Sequence, residues 1–219
     1  MKDAESPDLE ITPALVLRAY AVGVFPMANS AEDEVIFWVD PRKRGIIPLD
    51  GFHLSRSLRR RILRGGYQVR IDHAFVAVID ACAARPETWI NQTIRNVFIE
   101  LHRLGHAHSI EVWIDGNLEG GLYGLRLGGA FFGESMFSKT RDTSKIALAH
   151  LVARLRAGGF TLLDTQFTTP HLEGLGAQNV PKAHYHKLLE RSIARPANFY
   201  SLAVDALTAE VVQLITQRS

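Results

Sequence analysis

Two apolar segments of the sequence end in polar side chains whose types suit the handling of an amine. Asp164 and Gln166 close the run FTLLDTQ, and Glu134 follows the run AFFG. Residues two apart on a strand point to the same face, so we expect Asp164 and Gln166 to lie side by side where the strand gives way to a loop. A carboxylate beside an amide can fix which end of that amide accepts a hydrogen bond. The alternative interpretation is a polar pair that ties down the following loop.

Glu134 stands among apolar residues, between AFFG and SMF. A carboxylate in such surroundings must find partners or shift its pKa. Two interpretations stay open. The carboxylate binds a cationic group of a ligand, or it accepts hydrogen bonds from backbone N–H groups at a bulge next to Gly133.

The motifs argue against several other chemistries. GESMF is similar to the nucleophile elbow G-x-S-x-G around Ser135, but Phe137 replaces the last glycine and no helix begins after the serine, which disfavours a serine hydrolase. The nine histidines form no zincin pattern, so we expect no metal site. The chain has no glycine-rich loop of the ATP or dinucleotide type, so we expect no cofactor.

The aromatic residues have two possible roles. A ring with an exposed face can stack on a nucleobase at a single-stranded end, and a buried ring is ordinary core. The candidates for stacking are Trp38, Trp89, Tyr20, Phe25 and Tyr123.

The charges are distributed unevenly along the chain. Residues 1–40 carry a net charge of −6, with acidic residues that include Asp3, Glu5, Asp8 and Glu10, whereas residues 41–64 carry +7. A concentrated basic segment can bind a polyanion by releasing its counterions. The alternative is a solvated helix face. The arginines in question are Arg56, Arg59, Arg60 and Arg64.

The composition is that of an ordinary globular protein. The chain has 219 residues, of which 47% are hydrophobic, and its single cysteine, Cys82, permits no intrachain disulfide. The acidic start is unlike a secretory signal, and Pro13, Arg18 and Pro26 break the first apolar segment, so we expect no membrane span and a cytoplasmic protein. We expect a monomer, because the sequence shows no heptads.

The periodicity predicts helices in the first half of the chain. Thr12 is the expected N-cap of a helix over 12–22, and HLSRSLRRRILRGG predicts an amphipathic helix that ends at Gly65-Gly66. FWVDPRKRGIIPL and YQVRID are expected to be extended, and AFVAVIDACAA and INQTIRNVFIELHRLGHA to be helical.

The second half predicts a sheet. SIEVWI, LEGGLYGLRL and AFFGESMF read as a three-strand antiparallel meander. A helix follows, with Asp142 or Thr143 as its cap and with one face towards the core, and then the strand FTLLDTQ. The residues expected on the core face are Leu148, Leu151, Val152 and Leu155. The pattern predicts an α+β domain with helices on the faces of the sheet.

The ordered segments together resemble the leucyl/phenylalanyl-tRNA–protein transferases. They run from AYAVGVFPM through FWVDPRKRGIIPL, TWI, LGHAHSIEVW and FFGESMFS to LLDTQ and VPKAHYHKLL. The resemblance implies a small N-terminal domain (1–40) and a larger GNAT-like domain (41–219) with a mixed, mainly antiparallel sheet. It also implies transfer of Leu or Phe from aminoacyl-tRNA to proteins that begin with Arg or Lys, which marks those proteins for degradation.

The resemblance assigns site residues position by position. It places catalytic roles on Asp164, Gln166 and Glu134. Phe98, Met27 and Thr165 stand where some members have a tyrosine, a tryptophan and a cysteine. The residues expected around the aminoacyl side chain and the terminal adenosine are Leu122, Phe131, Met136 and Leu163, with Tyr20 and Trp89 nearby.

The hypothesis for the reaction is that the Gln166 side-chain oxygen accepts a hydrogen bond from the attacking amine while Asp164 orients the amide. Glu134 is expected beside the cationic acceptor, and the basic helix on tRNA phosphates. Water and the tRNA ribose stay open as the final proton acceptor. An apolar pocket discriminates weakly, so Met is expected to be accepted and the β-branched Ile and Val rejected.

Two other functions remain as alternatives. An acetyl-CoA-dependent N-acetyltransferase would share the fold, but MFSKTRDTSK lacks the glycines of the pyrophosphate loop of that family. A non-catalytic RNA-binding module would use the basic helix and the aromatic residues, but it would leave Glu134 and the Asp164–Gln166 pair without a role.

Overall fold

The computed structural model describes residues 11–85 and 87–217. The acidic residues Asp3, Glu5, Asp8 and Glu10 lie outside these ranges. The helices are α1 (Pro13–Ala21), α2 (Arg56–Arg64), α3 (Phe75–Ala83), α4 (Gln92–Arg103), α5 (Thr143–Ala157), α6 (Pro170–Glu173), α7 (Lys182–Ile193) and α8 (Thr208–Thr216). The strands are β1 (Phe25–Met27), β2 (Phe37–Val39), β3 (Lys43–Ile46), β4 (Gln68–Ile71), β5 (Ala107–Ile114), β6 (Asn117–Leu127), β7 (Ala130–Ser138), β8 (Leu162–Gln166) and β9 (Gln178–Pro181).

Seven strands form one mixed sheet in the order β4-β5-β6-β7-β8-β3-β9. Strands β5, β6 and β7 are the predicted antiparallel meander. Strands β7 and β8 pair in parallel across the connection through α5, whereas the other recorded pairs of this sheet are antiparallel. The sheet is therefore mixed and mainly antiparallel, as predicted. A separate hairpin joins β1 to β2.

Apolar side chains from the helices cover both faces of the sheet. Helices α2, α5 and α8 contribute to one core cluster, which includes Leu58 and Leu151. Helices α1, α3, α4 and α7 contribute to the other, which includes Val16 and Ile94. Because α1 contacts α4 and α7, the N-terminal segment shares a core with the large sheet. The division at residues 40 and 41 stays a prediction.

The predicted caps of the early helices are present. The Thr12 hydroxyl accepts a hydrogen bond from the Leu15 backbone N–H at 3.3 Å, which is the N-cap of α1. The Ser55 hydroxyl accepts a hydrogen bond from the Leu58 backbone N–H at 3.2 Å and is the N-cap of α2. At the other end of α2, Gly65 is the C-cap and has a φ of 67°. Leu58 and Ile62 of α2 are buried, whereas its four predicted contact arginines are exposed. The amphipathic character predicted for α2 is confirmed.

Helix α5 differs from the prediction in two ways. Twelve of its fifteen residues are buried, because the sheet covers one side and α2, α8 and the C-terminal segment cover much of the rest. Asp142 occupies the N-cap position, as predicted, but its carboxylate makes no cap hydrogen bond. The Ser138 hydroxyl, at the end of β7, accepts from the Ser144 N–H at 3.4 Å instead.

No helix within the described residues is long and apolar enough to span a membrane. Within residues 11–85 and 87–217, no group of three or more His, Cys, Asp or Glu side chains has the arrangement of a metal site.

Candidate active site

The parallel pair β7–β8 opens where the predicted polar residues lie. The pairing runs as far as Phe132 opposite Asp164 and then stops. Glu134 is the extra residue of a bulge in β7, because Gly133 and Ser135 pair with successive residues of β6. Bulges commonly re-aim a side chain next to an active site. The bulge expected next to Gly133 is therefore present, and it turns Glu134 into the opening between the two strands.

A cavity of about 310 Å³ fills this opening. Its walls come from β6, β7, β8, α5, α6 and the segment between α3 and α4. The apolar part of the lining includes Leu122, Met136, Leu148, Leu151, Leu163 and Leu172, and the polar part includes Arg85, Glu134, Ser135, Thr165, Gln166 and His171. The cavity thus combines an apolar wall with a few polar groups, as small-molecule sites usually do.

Glu134 is at the centre of a buried hydrogen-bond network. Its Oε1 accepts from the Tyr20 hydroxyl at 2.8 Å and from the Gln166 Nε2 at 3.0 Å. Its Oε2 is buried and has no hydrogen-bond partner among the described residues. Burial, and then the nearby charge of Asp164, raise the pKa of Glu134 to about 8, although the bonds from Tyr20 and Gln166 and the charge of Arg44 act to lower it. The hydrogen bonds of the carboxylate therefore come from side chains. Among the described residues, no backbone N–H donates to it, contrary to the alternative of backbone hydrogen bonds at the bulge.

Gln166 presents its side-chain oxygen without a protein partner. Because its Nε2 donates to Glu134, the amide is oriented with Oε1 free of hydrogen bonds within the described structure. The backbone φ of 56° at Gln166 is in the left-handed region, which is uncommon outside glycine, and the Asp164 Oδ1 accepts from the Gln166 backbone N–H at 2.7 Å. The prediction that Asp164 orients the side-chain amide is therefore wrong, because Glu134 does so and Asp164 holds the backbone.

Asp164 is fully buried and belongs to an ion pair. The Arg44 Nη2 lies 2.9 Å from its Oδ2, the Arg44 Nε donates to both oxygens, and the Tyr185 hydroxyl donates to Oδ2. Burial acts to lower the pKa of Arg44, but the charge and hydrogen bonds of Asp164, together with Tyr185 and Tyr20, outweigh it and raise the pKa. Asp164 does not line the cavity, so it supports the site from behind by fixing the backbone of Gln166.

Arg44 joins the N-terminal segment to this ion pair. Its guanidinium carbon lies 4.4 Å from the centre of the Phe25 ring and 4.9 Å from that of Tyr185, and its Nη1 donates to the Gly23 carbonyl at 3.0 Å. By its sequence position Arg44 belongs to the basic segment 41–64, and neither Arg44 nor Tyr185 was predicted at the site. The available signal was the apolar run GII that follows Arg44, which is typical of a buried strand.

Four of the six residues predicted around the aminoacyl group line the cavity, namely Trp89, Leu122, Met136 and Leu163. The other two do not. Tyr20 is 0% exposed, so it offers no ring face for stacking, and its part in the site is the hydroxyl bonded to Glu134. Phe131 is also fully buried and stacks on Phe199 with ring centres 5.6 Å apart, so it lies behind the wall.

The departures from the family pattern occupy different environments. Phe98 is buried edge-to-face against Tyr123, with ring centres 5.4 Å apart, and is not part of the cavity wall. Met27 packs against the core cluster that contains α1. Thr165 alone of the three lines the cavity, so it is the departure that can affect a ligand.

The basic helix α2 packs in the same core cluster as α5. Leu148 and Leu151 of α5 belong to the cavity wall, whereas α2 itself contributes no residue to it. The arginines exposed on α2, which form a basic surface, are Arg56, Arg59, Arg60 and Arg64.

Comparisons with known proteins agree with this geometry. The family model for the leucyl/phenylalanyl-tRNA protein transferase matches residues 46–190, and the model for the N-terminal domain of that protein matches residues 10–42. A protein of Ruegeria pomeroyi called leucyl/phenylalanyl-tRNA--protein transferase is 56% identical over 211 residues, which are 96% of this chain and 100% of that protein. A protein of the same name from Nitrobacter winogradskyi is 52% identical over 221 residues and covers 98% of each chain.

A solved structure shares the fold. The crystal structure of FemX matches with a TM-score of 0.52 and 13% identity over 80% of this chain and 70% of that chain. At this identity the likeness shows the fold alone, and it agrees with the GNAT-like sheet predicted from the sequence. Because one family model spans well over half of the chain and the relatives match almost all of it, the chain belongs to the leucyl/phenylalanyl-tRNA–protein transferase family.

Proposed function

We propose that this protein transfers Leu or Phe from aminoacyl-tRNA to the N-terminal α-amine of proteins that begin with Arg or Lys. The observation that carries the proposal is the pairing, in a member of this family, of an apolar cavity with a Gln166 amide whose oxygen is free. Modification marks the acceptor protein for degradation. We further propose that the protein acts as a cytoplasmic monomer.

The apolar wall supplies the pocket for the donor's side chain. Leu122, Met136 and Leu163 offer flexible or branched apolar surfaces to an unbranched-Cβ side chain such as Leu or Phe. One methylene changes the binding free energy in such a pocket by only about 1–3 kcal/mol. Met should therefore be transferred as well, and the β-branched Ile and Val should be rejected by shape. Trp89, which is half-buried in the same wall, is the ring proposed to meet the terminal adenosine.

The polar side of the cavity would receive the acceptor. An N-terminal α-amine has a pKa of about 8, so part of it is already deprotonated at neutral pH. The Gln166 Oε1 accepts a hydrogen bond from this amine and aims the nitrogen lone pair at the ester carbonyl. Glu134 lines the same cavity and would lie beside the positive end of the acceptor.

The reaction is balanced without a cofactor. The amine nitrogen forms a bond to the ester carbonyl carbon, and the bond from that carbon to the ribose oxygen of the tRNA breaks. The ammonium loses one proton before attack, and the amine loses a second as the amide forms. One of these protons protonates the departing ribose oxygen and the other is released. Holding amine and ester in line can lower the barrier by up to about 7–11 kcal/mol, so positioning is the main task of the site.

The exposed arginines of α2 would hold the body of the tRNA. Arginine contacts to phosphates position a nucleic acid without reading its sequence, which suits an enzyme that accepts tRNAs for more than one amino acid. The contact of α2 with α5, which contributes to the cavity wall, supports this role.

The test is a transfer assay with two donors. Radiolabelled Phe-tRNA or labelled acetyl-CoA is offered with a peptide that begins with Arg, and with the same peptide beginning with Ala as the control. Label from Phe-tRNA should enter the Arg peptide and not the Ala peptide. Membership of the transferase family does not favour the acetyl-CoA alternative. Transfer from acetyl-CoA alone would overturn the proposal, and equal transfer to both peptides would overturn its acceptor rule.

A further inference from the structure

Arg85 holds a positive charge at the rim of the cavity. The residue follows α3 and is exposed, yet its guanidinium is tied to β7: Nη2 donates to the Ser135 hydroxyl and to the Met136 carbonyl, each at 2.6 Å. Both acceptors directly follow Glu134. Fixing an exposed arginine side chain costs conformational entropy, because the side chain loses its rotamer freedom. The two hydrogen bonds offset this cost and keep the charge beside the site.

This charge has no protein partner of opposite sign in the part of the chain that the structure describes. Arg44, Arg95 and Arg103 each lie within 4.0 Å of a described carboxylate, and Arg85 does not. Its Nε and Nη1 make no hydrogen bond to described residues, so the guanidinium keeps N–H donors for a ligand. Such donors make charge-assisted hydrogen bonds to the oxygens of a phosphate.

We propose that Arg85 forms a phosphate subsite for the donor and binds the 5′-phosphate of the nucleotide that carries the amino acid. The inference rests on the proposed function. In that nucleotide the ester and the phosphate are attached to the same ribose. With the amino acid's side chain against the apolar wall, the ribose and its phosphate extend towards the rim, where Arg85 lies beside Trp89.

The charge of the second substrate supports the same assignment. The proposed acceptor begins with an ammonium group and a basic side chain, which Arg85 would repel. The other basic side chain in the cavity wall is His171, whose pKa is lowered by burial and by the charge of Lys145. Among the described residues that line the cavity, Arg85 is thus the one suited to bind an anion at neutral pH. The anionic substrate is the aminoacyl-tRNA donor.

The test compares donors that differ only in this phosphate. Phenylalanyl-adenosine and its 5′-phosphorylated form are offered with saturating Arg peptide to the wild type, Arg85→Ala, Arg85→Lys and Arg103→Ala. Arg103 is the matched control, because it is exposed and paired with Glu100. A charge-assisted hydrogen bond contributes about 1.5–3 kcal/mol, so Arg85→Ala should raise the KM of the phosphorylated donor about ten- to a hundredfold. The KM of phenylalanyl-adenosine should not change, and Arg85→Lys should fall between wild type and Arg85→Ala.

Other outcomes would overturn the subsite. If Arg85→Ala weakens both donors equally, the side chain acts by holding β7 rather than by binding phosphate. If it weakens neither, Arg85 has no part in donor binding. Binding of non-reactive, amide-linked analogues, with and without the phosphate, is measured by calorimetry in parallel. A wild type that transfers from no donor contradicts the proposed function, whereas equal affinity for the two analogues contradicts the subsite by itself.

Discussion

Gln166 donates from Nε2 to Glu134 Oε1 at 3.0 Å across the opening between β7 and β8, which leaves the Gln166 Oε1 free. The contact joins the bulge of one strand to the left-handed end residue of the next. Each side chain lies where the pairing of β7 with β8 has stopped, and the Tyr20 hydroxyl also holds Glu134. The orientation of the amide is therefore a property of the two strand ends together.

Glu134 should make the stability of the protein fall as the pH rises. Its pKa is about 8 in the folded protein against 4.5 as the reference value, so between these values the folded state keeps a proton that the unfolded state loses. Folding then takes up a proton, and raising the pH opposes it. The contribution of Glu134 to the free energy of unfolding should not depend on pH below about pH 4.5, should fall between the two pKa values, and should level off above about pH 8.

The comparison is with Glu134→Gln, which mimics the neutral acid. The free energy of unfolding is measured with urea from pH 5 to pH 9. The value for the variant minus the value for the wild type should increase as the pH rises. The Glu100→Gln variant, at a partly buried position outside the site, reports what the loss of one negative charge does elsewhere. Parallel curves for wild type and Glu134→Gln would show that Glu134 ionises normally.

Tyr20→Phe should destabilise the protein because it removes one of the two hydrogen bonds to the buried Glu134 oxygen. The Glu134 Oε1 keeps its bond from Gln166, so the loss is that of one hydrogen bond, about 0.5–1.5 kcal/mol. Urea unfolding should show a loss of this size. Tyr67→Phe is the matched control, since its hydroxyl makes a longer bond of 3.3 Å to the Ile62 carbonyl at a partly exposed position. A Tyr20→Phe loss no greater than that of the control would contradict the importance of this bond.

Arg44→Met should be among the most damaging single substitutions in the chain. It leaves the Asp164 carboxylate buried without its countercharge, which typically costs about 3–5 kcal/mol. Adding Asp164→Asn should recover part of the loss in unfolding free energy, because an uncharged pair is less costly to bury than a lone charge. Additive losses in the double variant would indicate that the two side chains do not interact.

Replacing Arg56 and Arg60 of α2 by Glu should weaken tRNA binding and reduce its dependence on salt. Each phosphate contact contributes about 0.7–0.9 to the slope of log K against log salt, so two lost contacts should lower the slope by nearly two. Filter binding over a range of salt concentrations measures this. The same double charge reversal on α4, at Arg95 and Arg103, is the control. Equal effects of the two pairs would mean that net charge alone matters.

Local patterns were sufficient to predict the elements that carry the site. The spacing of Leu58 and Ile62 predicted α2, and the alternation and turn residues of β5 to β7 predicted the meander. These features depend on residues a few positions apart. Helix α5 was predicted, but its near-complete burial was not, because the elements that cover it come from distant parts of the chain.

The polar network could not be predicted for the same physical reason. Arg44 and Asp164 are 120 residues apart, and Tyr20 and Glu134 are 114 apart. A buried arginine and an exposed one look alike in a sequence, so Arg44 was grouped with the basic surface. The resemblance to a family assigned Asp164, Gln166 and Glu134 to the site, but only the tertiary contacts show that Glu134 rather than Asp164 holds the amide.

We propose that the Gln166 amide oxygen positions the attacking amine. The most direct measurement is single-turnover transfer of labelled Phe from Phe-tRNA to an Arg peptide by the wild type, Gln166→Ala and Gln166→Glu, with both substrates saturating. Loss of a contact made to the reacting amine should slow Gln166→Ala about a hundredfold, as removal of one aligned group commonly does. The Gln166→Glu variant has no Nε2 to donate to Glu134 Oε1, so the new side chain loses its orientation and transfer should be slowed too. Full turnover by Gln166→Ala, with both substrates saturating, would contradict the proposed role of Gln166 in positioning the amine.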